Sequence, residues 1–142
     1  MNNQPNKQLQ VNGGCLCGAV RYRIEGELVD AGYCHCRLCQ CSSGAPVLAW
    51  LTVQQEALTI VQGKPKAYKS SAHYQRKFCS QCGTQLIFRK TTRPRTVDIT
   101  IASLDKPAAV VPEYHIWTDS RIPWFDTNDT LCRYADAGPD VD

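Results

Sequence analysis

The sequence has no long hydrophobic run. Its longest nearly apolar stretch covers residues 45–51 and contains Pro46, whereas a helix that crosses a bilayer needs about 20 apolar residues. Residues 1–12 are largely polar and contain no apolar stretch of the length that a secretory signal requires. We therefore expect a protein with no membrane association that resides in the cytoplasm, where thiols stay reduced.

The composition also lacks the extremes that mark non-globular classes of protein. Hydrophobic residues make up 43% and charged residues 20% of the 142 residues, which excludes a disordered chain, a collagen and a coiled coil. A chain of this length usually folds as one domain. We predict a single folded domain over residues 13–136, with flexible segments over residues 1–12 and 137–142.

Short stretches of alternating or β-branched residues predict strands and almost no helix. Residues 20–24 alternate strictly between apolar and polar side chains, and residues 96–101 do the same. One short helix is predicted around residues 52–57. The remaining predicted strands are 47–53, 58–61, 86–88 and 114–117. Turns rich in Gly, Pro and Ser recur between these stretches, so the sequence predicts a mainly β, mostly antiparallel domain.

Cysteine is abundant and strongly clustered. Nine cysteines are present. They are Cys15 and Cys17, then Cys34, Cys36, Cys39 and Cys41, then Cys79 and Cys82, and finally Cys132. Cysteines two or three positions apart suit joint ligation of a metal ion better than disulfides between distant segments. A structural zinc ion contributes about 10 to 16 kcal/mol to folding and a native disulfide about 2 to 5 kcal/mol, so zinc is the predicted cofactor.

Two of the cysteine pairs predict one structural zinc site. Cys15 and Cys17 form one pair, Cys79 and Cys82 form the other, and each pair is followed directly by a glycine. A tight turn that directs two sulfurs at one ion often forces the next residue to positive φ, which glycine adopts without steric cost. The two pairs supply four thiolates for a closed tetrahedral site that joins segments about sixty residues apart.

A third cluster has the pattern of an open zinc site. Cys34, Cys36 and Cys39 place three thiolates within six residues, and three protein ligands plus a water or substrate are typical of a catalytic zinc ion. His35 lies between two of these ligands and is a candidate proton shuttle. Its alternative role is to turn away and stiffen the loop through hydrogen bonds.

Two cysteines are left over by this assignment. Three interpretations of Cys41 are open: it is a fourth ligand that closes the second site, it is a redox-sensitive thiol beside the metal ion, or it has neither role. Cys132 has no partner pattern and is expected to be a small buried apolar residue. The role of Cys41 therefore separates an open catalytic site from a closed structural one.

The basic residues are concentrated in one segment. Residues 64–95 contain nine lysines and arginines and no acidic residue. Three interpretations are open: a solvated face, a site for an anionic ligand, or a nucleic-acid surface. The net charge of +3 is weak for a DNA-binding protein, so nucleic acid is the least favoured partner.

Three motifs along the chain carry a resemblance to a known family. They are Gly14-Cys15-x-Cys17-Gly18-Ala19, then Cys34-His35-Cys36-x-x-Cys39 followed by Ser43-Gly44-Ala45-Pro46, then Phe78-Cys79-x-x-Cys82-Gly83-Thr84. In this order they resemble the glutathione-dependent formaldehyde-activating enzyme family, which also takes in centromere protein V. The similarity continues through residues 112–117 and 123–125.

The resemblance implies a fold, a ligand set and an activity. The implied fold is a β-tent of stacked antiparallel sheets with zinc knuckles. Cys15, Cys17, Cys79 and Cys82 would hold a structural zinc ion, and Cys34, Cys36 and Cys39 a second zinc ion at the active site. The family's named reaction joins glutathione and formaldehyde to give S-hydroxymethylglutathione.

These observations favour a zinc-dependent carbon–sulfur lyase that binds two zinc ions per chain. Its expected partners are a glutathione-like thiol and a small, formaldehyde-like aldehyde, and its expected catalytic residues are Cys34, Cys36, Cys39 and His35. The alternative is a non-catalytic, zinc-stabilised binding module in which Cys41 is the fourth ligand and closes the second zinc site. The sequence predicts no particular oligomeric state.

Overall fold

A computed structural model of the protein describes residues 7–138. Along these residues the strands are β1 (Gln8–Gly14), β2 (Arg21–Cys34), β3 (Leu48–Gln54), β4 (Leu58–Gln62), β5 (Lys66–Lys69), β6 (Tyr74–Phe78), β7 (Gln85–Lys90), β8 (Thr96–Thr100), β9 (Tyr114–Ile116) and β10 (Cys132–Arg133). The α-helix α1 is Arg37–Ser43, and short 3-10 helices cover Gln55–Ala57, Ile101–Ser103, Pro107–Ala109 and Thr118–Ser120. Within residues 7–138 no helix has the length and apolarity needed to cross a membrane.

β2 organises the sheet because it pairs with different strands along its length. Its first half pairs with β1 and β4, and its second half pairs with β3 and β9. The strand order through the second half is β10-β9-β2-β3-β8-β7-β6-β5. β9 runs parallel to β2 and β10 runs parallel to β9, while the other described strand pairs are antiparallel. The mainly β, mostly antiparallel fold predicted from the sequence is confirmed.

The hydrophobic core lies between the two parts of this sheet. Tyr22 and Ile24 face the core from the first half of β2, and Leu51 and Ile99 face it from β3 and β8; the exposed fraction of all four is 0%. The four residues belong to one cluster of packed side chains. The β1–β2–β4 ladder therefore packs against the ladder that contains β3 and β8, in agreement with the stacked sheets that the family resemblance implies.

The opposite face of the longer ladder builds a cavity. Successive side chains of a strand point to opposite faces, so the neighbours of the buried residues in β3 and β8 point away from the core. Thr52, Asp98, Phe88 and Arg76 follow one another as directly opposed cross-strand partners and therefore share one face. All four line the same cavity. The alternation that buries Leu51 thus also delivers side chains to the candidate site.

The position of the α-helix differs from the prediction. Within residues 52–57 the first three residues belong to β3, where pairing with β8 holds the chain extended, and Gln55–Ala57 form a 3-10 helix. α1 instead begins after Cys36, whose sulfur accepts a hydrogen bond from the backbone N–H of Cys39, and it ends at Gly44 with φ of 72°. Cysteine is not one of the usual N-cap residues, so the sequence carries no ordinary helix-start signal here.

The amino-terminal segment contributes a strand. The sequence predicts a flexible segment through residue 12, but residues 8–14 form β1 and pair with β2 along their whole length. This pairing corrects the prediction for residues 8–12, since a ladder of backbone hydrogen bonds holds even a largely polar segment extended. Residues 1–6 and 139–142 of the predicted end segments lie outside the described residues.

We expect Leu51→Ala to lower the free energy of unfolding by about 2 to 5 kcal/mol, because it removes buried methyl groups between the two ladders and leaves a cavity. Urea denaturation followed by circular dichroism measures this change. Val61→Ala, at a position that is 49% exposed, is the control and should change the same free energy by less than about 0.5 kcal/mol. Equal effects of the two substitutions would contradict this location of the core.

Candidate functional site

The fold brings together the four cysteines that are predicted to share one metal ion. The sulfurs of Cys15, Cys17, Cys79 and Cys82, named the first cysteine group below, lie within 4.8 Å of one another. Cys15 Sγ is 3.7 Å from Cys17 Sγ, and Cys17 Sγ is 3.8 Å from Cys79 Sγ. Sulfurs at the corners of a tetrahedron with a Zn–S distance of about 2.3 Å are about 3.8 Å apart. The spacing of the first cysteine group therefore fits a tetrahedral zinc ion.

Both cysteine pairs of this group lie in tight turns of the same design. The first turn is closed by a hydrogen bond from the backbone N–H of Cys15 to Val20 O, and the second by one from the backbone N–H of Cys79 to Thr84 O. Both distances are 3.0 Å. Gly18 and Gly83 have φ of +83° and +80°, and nothing lies within 4 Å of a Cβ built on either residue. The backbone conformation, rather than a lack of space, therefore requires glycine, as the sequence predicts.

Thr84 links the two turns and polarises one of the sulfurs. Its hydroxyl oxygen accepts a hydrogen bond from the backbone N–H of Leu16 at 3.0 Å and lies 3.2 Å from Cys82 Sγ, so its O–H donates to the sulfur when Cys82 is a thiolate. This hydrogen bond is the largest cause that lowers the pKa of the Cys82 thiol to about 5. Two further sulfurs of the group accept hydrogen bonds from backbone N–H groups. Such donors favour the thiolate, which is the form that binds a metal ion.

The second cysteine group, Cys34, Cys36 and Cys39, is built from the end of a strand and the start of a helix. Cys34 is the last residue of β2, Cys36 caps α1 and Cys39 lies in its first turn. The three sulfurs lie within 4.8 Å of one another, and Cys34 Sγ is 3.5 Å from Cys39 Sγ. Pairing with β3 and β9 holds the Cys34 backbone, so this group is attached to the centre of the sheet.

The chemistry of the second cysteine group also fits a divalent cation. Hydrogen bonds from Cys34 and Cys39 lower the pKa of Cys36 to about 2, whereas the contact with Cys36 raises the pKa of Cys34. One thiolate is therefore stabilised by its two neighbours, and each further thiolate needs a compensating positive charge. A zinc ion supplies that charge and accepts sulfur ligands.

Cys41 and Cys132 lie outside both groups. Cys41 is exposed on α1, two residues after Cys39 and hence about 200° around the helix axis. Its sulfur accepts a hydrogen bond from Arg37 at 3.6 Å, and among residues 7–138 it is not one of the sulfurs that could share an ion with the second cysteine group. This position gives no support to Cys41 as a fourth ligand. Cys132 is exposed in β10, so the expectation that it is buried is wrong.

A cavity of about 440 Å³ lies against the second cysteine group, and all three cysteines of the group line it. Its aromatic lining residues are Trp50, Tyr74, Phe88, Tyr114 and Trp117. Its charged lining residues are Arg37, Arg76, Arg89 and Asp98. A concave, largely apolar pocket with a few convergent polar groups is the usual form of a small-molecule site.

His35 is fully buried and is not one of the residues that line this cavity. Its ring forms hydrogen bonds elsewhere. Its Nε2 is 2.8 Å from His115 Nδ1, and His115 Nε2 is 3.2 Å from both carboxylate oxygens of Asp129. With Asp129 as acceptor, His115 donates from Nε2 and accepts the Nε2–H of His35. Burial lowers the pKa of His35 to about 4, so the ring is neutral at neutral pH. These contacts favour the stiffening role of His35 over the proton shuttle.

Sequence reasoning did not single out the aromatic and cationic residues that line the cavity, although a site for an anionic ligand was one interpretation of the basic segment. Arg76 looks like any other basic residue of the segment 64–95, and Trp50 looks like a core residue. A usable signal is present in residues 96–101, where threonine and aspartate alternate with apolar residues. The apolar positions mark the core face of the strand, so the polar positions mark a second face that has its own role.

The basic segment divides between the surface and the cavity. Lys64, Lys66 and Lys69 are exposed, as a solvated face requires. Arg76 and Arg89 line the cavity instead. Part of the charge therefore faces a pocket, where it attracts an anionic group.

Comparisons with known proteins agree with the motifs. The protein-family model described as glutathione-dependent formaldehyde-activating enzyme matches residues 10–120, a range that contains both cysteine groups. An uncharacterized lyase of Schizosaccharomyces pombe is 32% identical to this chain over 82 residues, which are 58% of this chain and 59% of the yeast protein. The chain thus matches less than two thirds of the length of that relative.

A solved structure also resembles the fold. The crystal structure of a Rhodobacter sphaeroides protein superimposes with a TM-score of 0.57 and 25% sequence identity, over 71% of this chain and 97% of the other. The similarity therefore extends over nearly the whole of that bacterial protein.

We expect Cys82→Ser to unfold the protein and Cys36→Ser to leave it folded. The first cysteine group joins turns about sixty residues apart, so its loss frees a long loop, whereas the second group spans six residues beside a paired strand. Circular dichroism measures the fold, and metal analysis measures the zinc content of each variant. Cys132→Ser, at an exposed cysteine outside both groups, is the matched control. Unfolding of both Cys82→Ser and Cys36→Ser, or of neither, would contradict the expected division.

Proposed function

Because the chain belongs to the glutathione-dependent formaldehyde-activating enzyme family, we propose that it is a zinc-dependent lyase that forms or cleaves adducts between a thiol and a small aldehyde. The proposed thiol is glutathione or a close analogue, and the proposed aldehyde is formaldehyde or one of similar size. One observation carries the proposal: the three cysteines of the second group line an aromatic cavity of about 440 Å³, and Cys41 does not join them.

The two cysteine groups have different tasks in this proposal. The first group, with four sulfurs, would hold a structural zinc ion in a closed site. The second group, with three sulfurs at a cavity, would hold a catalytic zinc ion and leave a position for a substrate. Zinc bound there would supply the positive charge that stabilises a substrate thiolate or polarises an aldehyde oxygen.

The bond changes in the proposed reaction take place within the two substrates, so the protein needs to supply little covalent chemistry. A sulfur–carbon bond forms, the carbonyl π bond breaks, and the thiol proton ends on the former carbonyl oxygen. A free thiol with a pKa near 8.5 gains only about thirtyfold in thiolate at pH 7 from full deprotonation. Holding the two reactants together contributes about 7 to 11 kcal/mol in well-oriented cases. The aromatic walls of the cavity, Trp50, Phe88 and Tyr114, would therefore contribute most by orienting the reactants and excluding water.

Metal analysis and cobalt spectroscopy of the whole chain test the proposal. We expect about two zinc ions per chain, and a sulfur-to-cobalt absorption band of the cobalt-substituted protein that changes on addition of glutathione. Cys36→Ser should bind one ion and lose both the response to glutathione and the formation of S-hydroxymethylglutathione, measured by proton NMR against the spontaneous reaction.

Cys41→Ser is the matched control for this experiment, because Cys41 lies on the same helix but outside the second group. It should keep two ions and the response to glutathione. A cobalt spectrum that shows four protein sulfurs at both sites and does not respond to excess glutathione would overturn the proposed function.

Trp117 lines the cavity and has an unusual backbone conformation. Its φ is 57° and its ψ is 39°, a left-handed conformation that is an outlier for a bulky residue. The side chain is 40% exposed and lines the cavity. The backbone N–H of Trp117 donates to Asp136 O and its carbonyl oxygen accepts from the N–H of Ser120, so these bonds hold the conformation. We propose that the side chain held in this way contacts a ligand at the edge of the cavity.

We expect Trp117→Gly to weaken glutathione binding by about tenfold or more, since a wall of the cavity is lost and a buried aromatic contact contributes about 1.5 kcal/mol or more. The free energy of unfolding should change by less than about 1 kcal/mol, because relief of the positive φ offsets the lost burial. Titration calorimetry and thermal melting measure the two quantities. Trp124→Gly, at a tryptophan that is 74% exposed and does not line the cavity, is the control. Unchanged binding by Trp117→Gly would refute the assigned role.

A further inference from the structure

Arg76 carries a permanent positive charge in the interior of the protein. Its exposed fraction is 5%, and a guanidinium stays protonated in proteins. The residue lies in the middle of β6, opposite Phe88 of β7, and its guanidinium carbon is 4.8 Å from the centre of the Phe88 ring. The neighbouring strands therefore hold the side chain on the face of the sheet that forms the cavity.

The partners of this buried cation are a sulfur and an amide oxygen. Its two terminal nitrogens donate to Cys39 Sγ at 3.7 and 3.6 Å, and one of them also donates to Gln85 Oε1 at 3.1 Å. The Nε atom of Arg76 is buried and has no partner among the described residues. None of the ion pairs formed by the described carboxylates includes Arg76. Cys39 is therefore the acidic group that Arg76 contacts directly.

The positive charge of Arg76 is balanced when all three thiolates of the second cysteine group are counted together with a bound divalent cation. Three thiolates around a divalent cation sum to −1, and Arg76 brings the total to zero. An anionic fourth ligand then makes the total −1 rather than −2. Because isolated charge is costly in a buried site, each of these states is more stable with the guanidinium present.

We infer that Arg76 is the internal counter-ion of the second cysteine group, and that it sets both the affinity of this group for a metal ion and its acceptance of an anionic thiolate. Arg76 is thus a positioning residue that acts through Cys39. The part of the inference that concerns thiolate binding rests on the proposed function, whereas the part that concerns metal affinity does not.

A pair of substitutions separates the charge of Arg76 from its hydrogen bonds. Arg76→Lys keeps the positive charge, and Arg76→Gln keeps N–H donors without the charge. Arg95→Gln removes the same charge from an exposed position and serves as the control. The first cysteine group, in the same chain, is an internal reference for metal binding.

Competition of the cobalt- or zinc-loaded full chain with a chelator measures the affinity of each site. We expect Arg76→Gln to weaken metal binding at the second cysteine group by about 10- to 100-fold, the usual cost of losing a partner of a metal ligand. Arg76→Lys should weaken metal binding less than Arg76→Gln does, because it keeps the positive charge although it loses the forked contact with Cys39 and the stacking on Phe88. Binding at the first cysteine group should not change in either variant, and Arg95→Gln should behave as the unaltered chain does.

Equal metal affinity of Arg76→Lys and Arg76→Gln at the second group would overturn the inference, because charge would then play no part. A glutathione titration of the cobalt-loaded proteins gives the second readout, with the response weakened in Arg76→Gln and retained in Arg76→Lys. If the unaltered chain binds two ions but does not respond to glutathione, the proposed function fails, and the chelator comparison still decides the role of Arg76.

Discussion

Negative charge on cysteine sulfur is the constraint on which the rest of the structure depends. Four thiolates around a divalent cation sum to −2, and in the first cysteine group Cys17 is exposed and Cys82 is half-buried, so water can share that charge. Each group also has two buried sulfurs, where uncompensated charge costs several kcal/mol. The second group has one sulfur fewer, and a buried guanidinium contacts Cys39. The smaller negative charge of the second group and its contact with this cation both lower the cost of burying it.

The alternation of side chains in the long sheet connects this constraint to the cavity. Leu51 and Ile99 fill the core on one face, so their neighbours Thr52 and Asp98 must point to the other face. Arg76 joins them there because β6 and β7 extend the same sheet. The second cysteine group lies at this face, where the end of β2 leads into the start of α1, and the cavity forms between the helix and the sheet. The core and the candidate site are thus two sides of one sheet.

The parts that could be predicted from the sequence depend on short spacings. The cysteine groups follow from sulfurs two or three positions apart, and Gly18 and Gly83 follow from the turns that such spacings require. The roles of His35 could not be separated in this way, because its ring is oriented by His115, a residue 80 positions away. The helix α1 was missed because a cysteine caps it, and β1 because a polar segment becomes a strand only when β2 is beside it.

The sequence by itself determined that the domain is mainly β and which cysteines form a turn together, because both properties are set by neighbours within a few residues. Only the tertiary structure decided that Arg76 contacts Cys39 across 37 positions, and that Trp50 and Trp117 face a cavity. The physical reason is strand register. Contacts across a sheet depend on which residues are opposed, and a shift of a single residue sends every side chain of the strand to the other face.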